Sequence, residues 1–171
     1  METQQQAPIL KRIRLLTWLI IIGLVFSGWT AIPLKSELDW LVNLLGLGPN
    51  YQGAIPSGLV QWLLRIRDGL DSSYAQYPFL AYGTDWLAFG HFVIAIAFIG
   101  ALRDPVRNKW LFHFGMVACA LVVPYSFIFG ALRHIPIFWR LIDSSFGVIG
   151  FFPLWFCSRM VNQLERQTLA R

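Results

Sequence analysis

From Leu15 to Leu34 the chain reads LLTWLIIIGLVFSGWTAIPL, 20 residues without a single charge. About 20 apolar residues are what a helix needs to cross the hydrocarbon core of a bilayer. Inside lipid a chain has to satisfy its backbone polar groups internally, so a helix is the form such a run takes. Lys11, Arg12 and Arg14 precede it, as basic residues also precede the core of a cleaved signal peptide. The run is too long for a signal core and its end lacks an A-x-A site, so it reads as a retained signal anchor.

Three further runs are predominantly apolar: Trp86 to Leu102, Trp110 to Leu132 and Leu141 to Met160, the last opening with Asp143. Hydrophobic residues make up 56 % of the 171 residues and charged ones only 13 %. Soluble domains are about one-quarter charged, so this chain has too few charges to cover a water-facing surface. Several of the eight Trp, including Trp86, Trp110 and Trp139, sit near the ends of apolar runs, the headgroup level that indole favours. The expected fold is an all-α membrane protein: one domain, four transmembrane helices (15–34, 86–102, 110–132, 141–160) and polar tails 1–14 and 161–171, the first ten residues disordered.

Residues 35–84 differ, with charges and the turn-rich pieces GLGPN, GAIPSG and YPFLAYG. Two amphipathic stretches lie within. Ser36 to Leu45 has Ser36 as N-cap and Glu37 and Asp39 in the first turn. Ser57 to Leu70 places Leu59, Leu63, Ile66 and Leu70 on one face. Both are too short and too charged to span, and read as helices lying on the membrane or capping a bundle.

Charge sets the orientation. With the N-terminus inside, the cytoplasmic segments hold Lys11, Arg12, Arg14, Arg103, Arg107, Lys109, Arg159, Arg166 and Arg171, nine of the 14 basic residues. The other five are Lys35, Arg65, Arg67, Arg133 and Arg140. This asymmetry predicts cytoplasmic N- and C-termini and an extracytoplasmic segment 35–84.

Few residues carry candidate chemistry. His91 lies inside the second span, and an intramembrane histidine is either functional or bonded to a neighbouring helix. Tyr125 and Ser126 should reach a similar depth on the third span, and Pro124 beside them frees the carbonyl of Ala120. At the outer helix ends stand Asp85, Arg133, Arg140 and Asp143. The bland reading is an interfacial ion pair, with Asp143 held by Arg133 in preference to Arg140. The functional reading is a headgroup, ion or ligand site opening outward. Small residues, among them Ser126, Gly130, Ser144, Gly147 and Gly150, mark faces where helices approach closely.

Other classes are poorly matched. His91 and His113 differ in depth by more than about 10 Å at 1.5 Å per residue, too far to share one haem iron. GxSxG, P-loop, dinucleotide-fold and HExxH motifs are absent, and no cofactor or metal is expected. No basic, aromatic-interleaved module suggests nucleic acid. Cys119 and Cys157 lie in apolar runs and read as unbridged small hydrophobes.

The runs TDWLAFGHFVIAIAFIGALRDPVRNKW, from Thr84 to Trp110, and FWRLIDSSFGVIGFFPLWFC, from Phe138 to Cys157, resemble a group of small bacterial four-helix integral membrane proteins of unknown function. The resemblance covers roughly the C-terminal half and implies a multi-pass protein of the bacterial inner membrane, with no activity attached. Length and helix count are also similar to the sterol-isomerase and sigma-2-receptor-like family, although that family's intramembrane acidic residues find no counterpart beyond Asp143. The expected function is non-enzymatic binding of lipid or a membrane partner, with the bilayer and a second copy or another membrane protein as partners. The alternative is a small membrane enzyme or binding protein for a hydrophobic ligand.

Overall fold

A computed structural model describes the backbone of residues 2–47 and 58–169, and the side chains of residues 6–47 and 58–167. Among the described residues all regular structure is helical. The order is α1 (Glu2–Ala31), α2 (Leu34–Leu44), α3 (Leu59–Gln76), a 3-10 turn (Pro78–Ala81), α4 (Tyr82–Arg103), α5 (Lys109–Leu132) and α6 (Ile137–Leu169). Three stretches are long and apolar enough to cross a membrane: Pro78–Arg103, Lys109–Leu132 and Ile137–Gln167. A fourth is available if α1 and α2, which meet at 87°, count as one broken span.

Local sequence accounts for the breaks. Pro33 ends α1, because proline lacks an N–H and disfavours a helical residue before it. Pro33 then occupies the N-cap position of α2, so Ser36 is not the cap expected from its side chain but lies in the first turn. Helix α2 stops at a left-handed Gly46 (φ 72°). The Gly46 N–H bonds the Asn43 carbonyl and the Leu47 N–H bonds that of Val42, a Schellman closure in which glycine carries no Cβ penalty. Helix α3 starts at Leu59; its expected start at Ser57 lies outside the described residues.

The helices fall into two compact units. One comprises residues up to Leu24 and from Ile94 onward, and its core is a seam along four helices. Helix α1 contributes Ile13 and Ile21, α4 contributes Ala95, Phe98 and Ala101, α5 contributes Leu111 and Phe112, and α6 contributes Leu154, Cys157, Val161 and Leu164. The α6 positions recur every three or four residues, the period of one helix face. That seam continues past the apolar runs. Helix α1 therefore begins at Glu2 rather than at Leu15, with Ile9 and Leu10 packed on the core, and α6 runs on beyond Met160. The Cys157 thiol lies 3.8 Å from the Ile13 carbonyl, and both cysteines are free.

The α5–α6 pair packs tightest. A Cβ at Gly147 would lie 2.5 Å from the Cys119 carbonyl oxygen, and one at Gly150 would lie 3.1 Å from the Cys119 sulfur. Glycine at these positions lets the two backbones approach, which is how helices associate when lipid offers no hydrophobic drive. The Lys109 ammonium donates to Glu165 at 2.6 Å and Ser158 meets the His113 ring at 3.0 Å. A tight turn precedes α5. Arg107 N–H donates to the Asp104 carboxylate at 3.0 Å, and the Asn108 amide reaches the carbonyls of Gly100 and Asp104.

The second unit covers Val25–Val93. Helices α2 and α3 pack together within it, burying Leu38 and Val42 on one and Leu63 on the other. Lys35 clasps the pair with bonds of 2.8 Å to Asp71 and 3.4 Å to Asp39. The Asp71 hydrogen bond and the Asp39 charge hold the Lys35 ammonium above its ordinary pKa. The contribution of the lysine charge is therefore full below the usual lysine range and is lost as pH rises through that raised value. Gly28 of α1 faces α4, where a Cβ would come within 2.8 Å of Phe92 and 3.0 Å of the Ala88 carbonyl.

The outward faces are apolar. Phe26, Ile96, Phe146 and Ile149 are each about two-thirds exposed, an arrangement that water penalises and hydrocarbon accepts.

Candidate functional site

The site begins with the end of α5. Leu132 is its last residue, and the chain reverses through His134, which has φ 57°. The His134 N–H bonds the Ala131 carbonyl and the Ile135 N–H bonds that of Gly130. This is the same closure as at Gly46, here with a histidine in the left-handed position, which costs about 1–2 kcal/mol for a residue with a Cβ. The aliphatic stem of Arg140 lies across Gly130, where a Cβ would sit 2.8 Å from its Cγ. Its Nε donates to the Ile135 carbonyl at 2.6 Å. Arg140 thus pins the turn that joins α5 to α6.

Below that turn the two helices are tied by hydroxyls. Ser126 and Ser144 lie 2.7 Å apart, and Ser126 donates to the Val123 carbonyl at 2.9 Å. A hydroxyl has one proton, so Ser144 is the donor between them. Pro124, just before Ser126, removes a backbone donor and leaves the Ala120 carbonyl without its helical partner.

Beside this pair opens a groove of about 480 Å³. Leu121, Val122, Phe129 and Ile135 give it apolar walls. Tyr125 stacks toward Phe129, with ring centroids 4.4 Å apart. Arg133 and Asp143 also line it. The expected ion pair between them is not formed: among the described residues Asp143 has no basic group within 4.0 Å and no side-chain hydrogen bond, and the Arg133 guanidinium is likewise unpaired. The reason is local. Arg140, three residues before Asp143, is committed to the turn, and Arg133 is the C-cap of α5.

Four of the seven candidate residues therefore share one groove: Tyr125, Ser126, Arg133 and Asp143. Arg140 buttresses its rim. His91 and Asp85 belong to the second unit. The His91 ring bonds the Leu87 carbonyl one turn earlier at 2.8 Å, and Asp85 lines a shallow recess with Tyr82, Trp86 and Phe89. The apolar groove walls, absent from the sequence-based candidates, carry a signal of their own: Ala118, Leu121, Val122 and Phe129 fall on one helical face with Tyr125. A larger recess, about 630 Å³, runs beside Arg159, Asn162, Gln163 and Arg166, but its described lining residues all belong to α6.

Chemically, the α5–α6 groove offers an apolar channel ending at one cation and one anion. Its described lining residues include no nucleophile–base pair. No family model, curated protein or solved structure matches the chain.

Proposed function

We propose that this chain is a multi-pass integral membrane protein that binds a lipid, without catalysis, in the groove between α5 and α6. The single observation that carries the reading is the union, in one groove, of Leu121, Val122 and Phe129 with the unpaired charges of Arg133 and Asp143. An acyl chain matches the first set and a polar headgroup the second. Four spans are assigned, with α1 counted among them, and both termini lie in the cytoplasm. The nine-to-five distribution of basic residues supports that orientation. Segment 35–84 is then extracytoplasmic. Trp40 and Leu44 on α2, each about two-thirds exposed, suit a helix resting at the headgroup level. The bacterial inner membrane is the proposed location, from the resemblance of Thr84–Trp110 and Phe138–Cys157 to small bacterial membrane proteins.

The test is photo-crosslinking with a phospholipid bearing a diazirine in its acyl chain, followed by peptide mapping. Adducts should concentrate on residues 118–129 of α5 and on the start of α6, and Ala118→Trp, which fills the groove, should remove most of them. Equal labelling of the other lipid-exposed faces, such as Leu15, Leu19 and Ile22 of α1, would mean bulk solvation rather than a site.

A further inference from the structure

We infer that the lipid bound in the α5–α6 groove carries a zwitterionic headgroup with a primary ammonium, phosphoethanolamine in chemical class; this rests on the lipid-binding reading above and names its ligand. The groove presents one group of each charge. Arg133 stands at the end of α5 as its C-cap, and its exposed guanidinium is free of any carboxylate among the described residues. A guanidinium offers a planar fork that matches a phosphate diester's oxygens. Asp143 is half-buried and has no cation of its own among the described residues. A carboxylate at this level of a membrane helix is costly unless a partner meets it. A primary ammonium supplies that partner and can donate up to three hydrogen bonds.

The alternatives fail on the same two residues. A phosphoglycerol headgroup has an anion for Arg133 but only neutral hydroxyls for Asp143, so it brings no positive charge to offset the carboxylate. A trimethylammonium headgroup has the charge but no N–H to donate, and its methyl groups hold the positive centre farther from the carboxylate. Arg140 holds the Ile135 carbonyl through its Nε and lays its stem on Gly130, and it is not among the residues that line the groove. The apolar walls commit the ligand to a membrane lipid rather than a free headgroup.

The experiment places the full chain in nanodiscs of equimolar phosphatidylethanolamine, phosphatidylcholine and phosphatidylglycerol. Lipid that stays with the protein is then read by native mass spectrometry. The ethanolamine lipid should be retained over each of the others by about tenfold, the size of one charge-assisted hydrogen bond. Asp143→Asn should reduce that ratio to near one for the choline lipid, while Asp143→Glu should keep most of it. Arg133→Gln should lower retention of all three. If the wild-type protein retains lipid without distinguishing headgroups, the ethanolamine assignment is wrong and the groove remains a lipid site. If it retains no lipid, both readings fall. The wild-type ratio decides the matter even if a variant does not fold.

Discussion

Gly147→Val should be the most damaging single substitution in the α5–α6 pair, lowering stability in detergent by about 3 kcal/mol or preventing folding. A Cβ at this position would stand 2.5 Å from the Cys119 carbonyl oxygen and 3.0 Å from Val122. Neither the backbone carbonyl nor the β-carbon can rotate aside as a flexible side-chain end could. The helices would have to separate, and the hydroxyl contact between Ser126 and Ser144, 2.7 Å long, would be pulled apart with them. Gly23 and Gly90 are the internal controls. Each lies within a helix, and an added methyl group there would meet nothing within 4 Å. Alanine at either position should leave stability unchanged or raise it by up to about 1 kcal/mol through helix propensity. Thermal unfolding followed by circular dichroism measures all three. Similar small effects at the three glycines would show that α5 and α6 do not pack as described.

Phe112→Ala should cost about 2–4 kcal/mol, whereas Phe114→Ala, two residues on, should cost little. Phe112 is fully buried against Phe98, with ring centroids 6.3 Å apart, while Phe114 is nearly half exposed. In water a buried Phe→Ala change costs about 3–5 kcal/mol, part of it transfer of the side chain from solvent and part the cavity left behind. In a bilayer or micelle the unpacked ring meets hydrocarbon, so the transfer part shrinks. The cavity and lost dispersion contacts remain. An outward-facing ring has no cavity to leave. Equal losses at the two positions would mean that the seam through Ile13, Phe98, Phe112 and Leu154 is not the core of its unit.

Much of this architecture is legible in the sequence because long, predominantly apolar runs are a strong signal. The runs from Trp86, Trp110 and Leu141 each lie within a helix of the structure. The helix ends are less legible. Gln-rich composition around residues 2–6 hides a helix that Ile9, Leu10 and Ile13 hold to the core. In the same way, Val161 and Leu164 continue the Leu154–Cys157 face into a polar-looking tail. Their spacing is visible in the sequence, but a window of mean polarity averages it away. Ser36 has the chemistry of a cap, yet the backbone break comes earlier, because Pro33 fixes it.

The site divides along the same line. Counting residues along two helices joined by a short loop places Arg133 and Asp143 together at the outer end but sets Tyr125 and Ser126 at the depth of His91; the structure gathers Tyr125, Ser126, Arg133 and Asp143 in one groove. The pairing within that set is not legible. Whether Asp143 meets an arginine depends on the turn, and the turn depends on His134 adopting a left-handed conformation that side-chain type alone does not announce. Once His134 closes α5, the Ile135 carbonyl faces Arg140, and the nearest cation in sequence is taken. A stripe of small residues likewise marks a contact face without giving its register, so the facing of Gly147 and Cys119 emerges only in three dimensions.

The proposed topology has α1, α4, α5 and α6 crossing a bilayer with both chain ends on one side. Reporter fusions after Asp71 and after Arg171, each using a pair of enzymes active on opposite sides of the bacterial inner membrane, measure this directly. The periplasm-active reporter should work at Asp71 and be silent at Arg171, with the cytoplasm-active reporter giving the reverse. A periplasm-active signal at Arg171, or a cytoplasmic one at Asp71, would contradict the four-span arrangement and the orientation drawn from the basic residues.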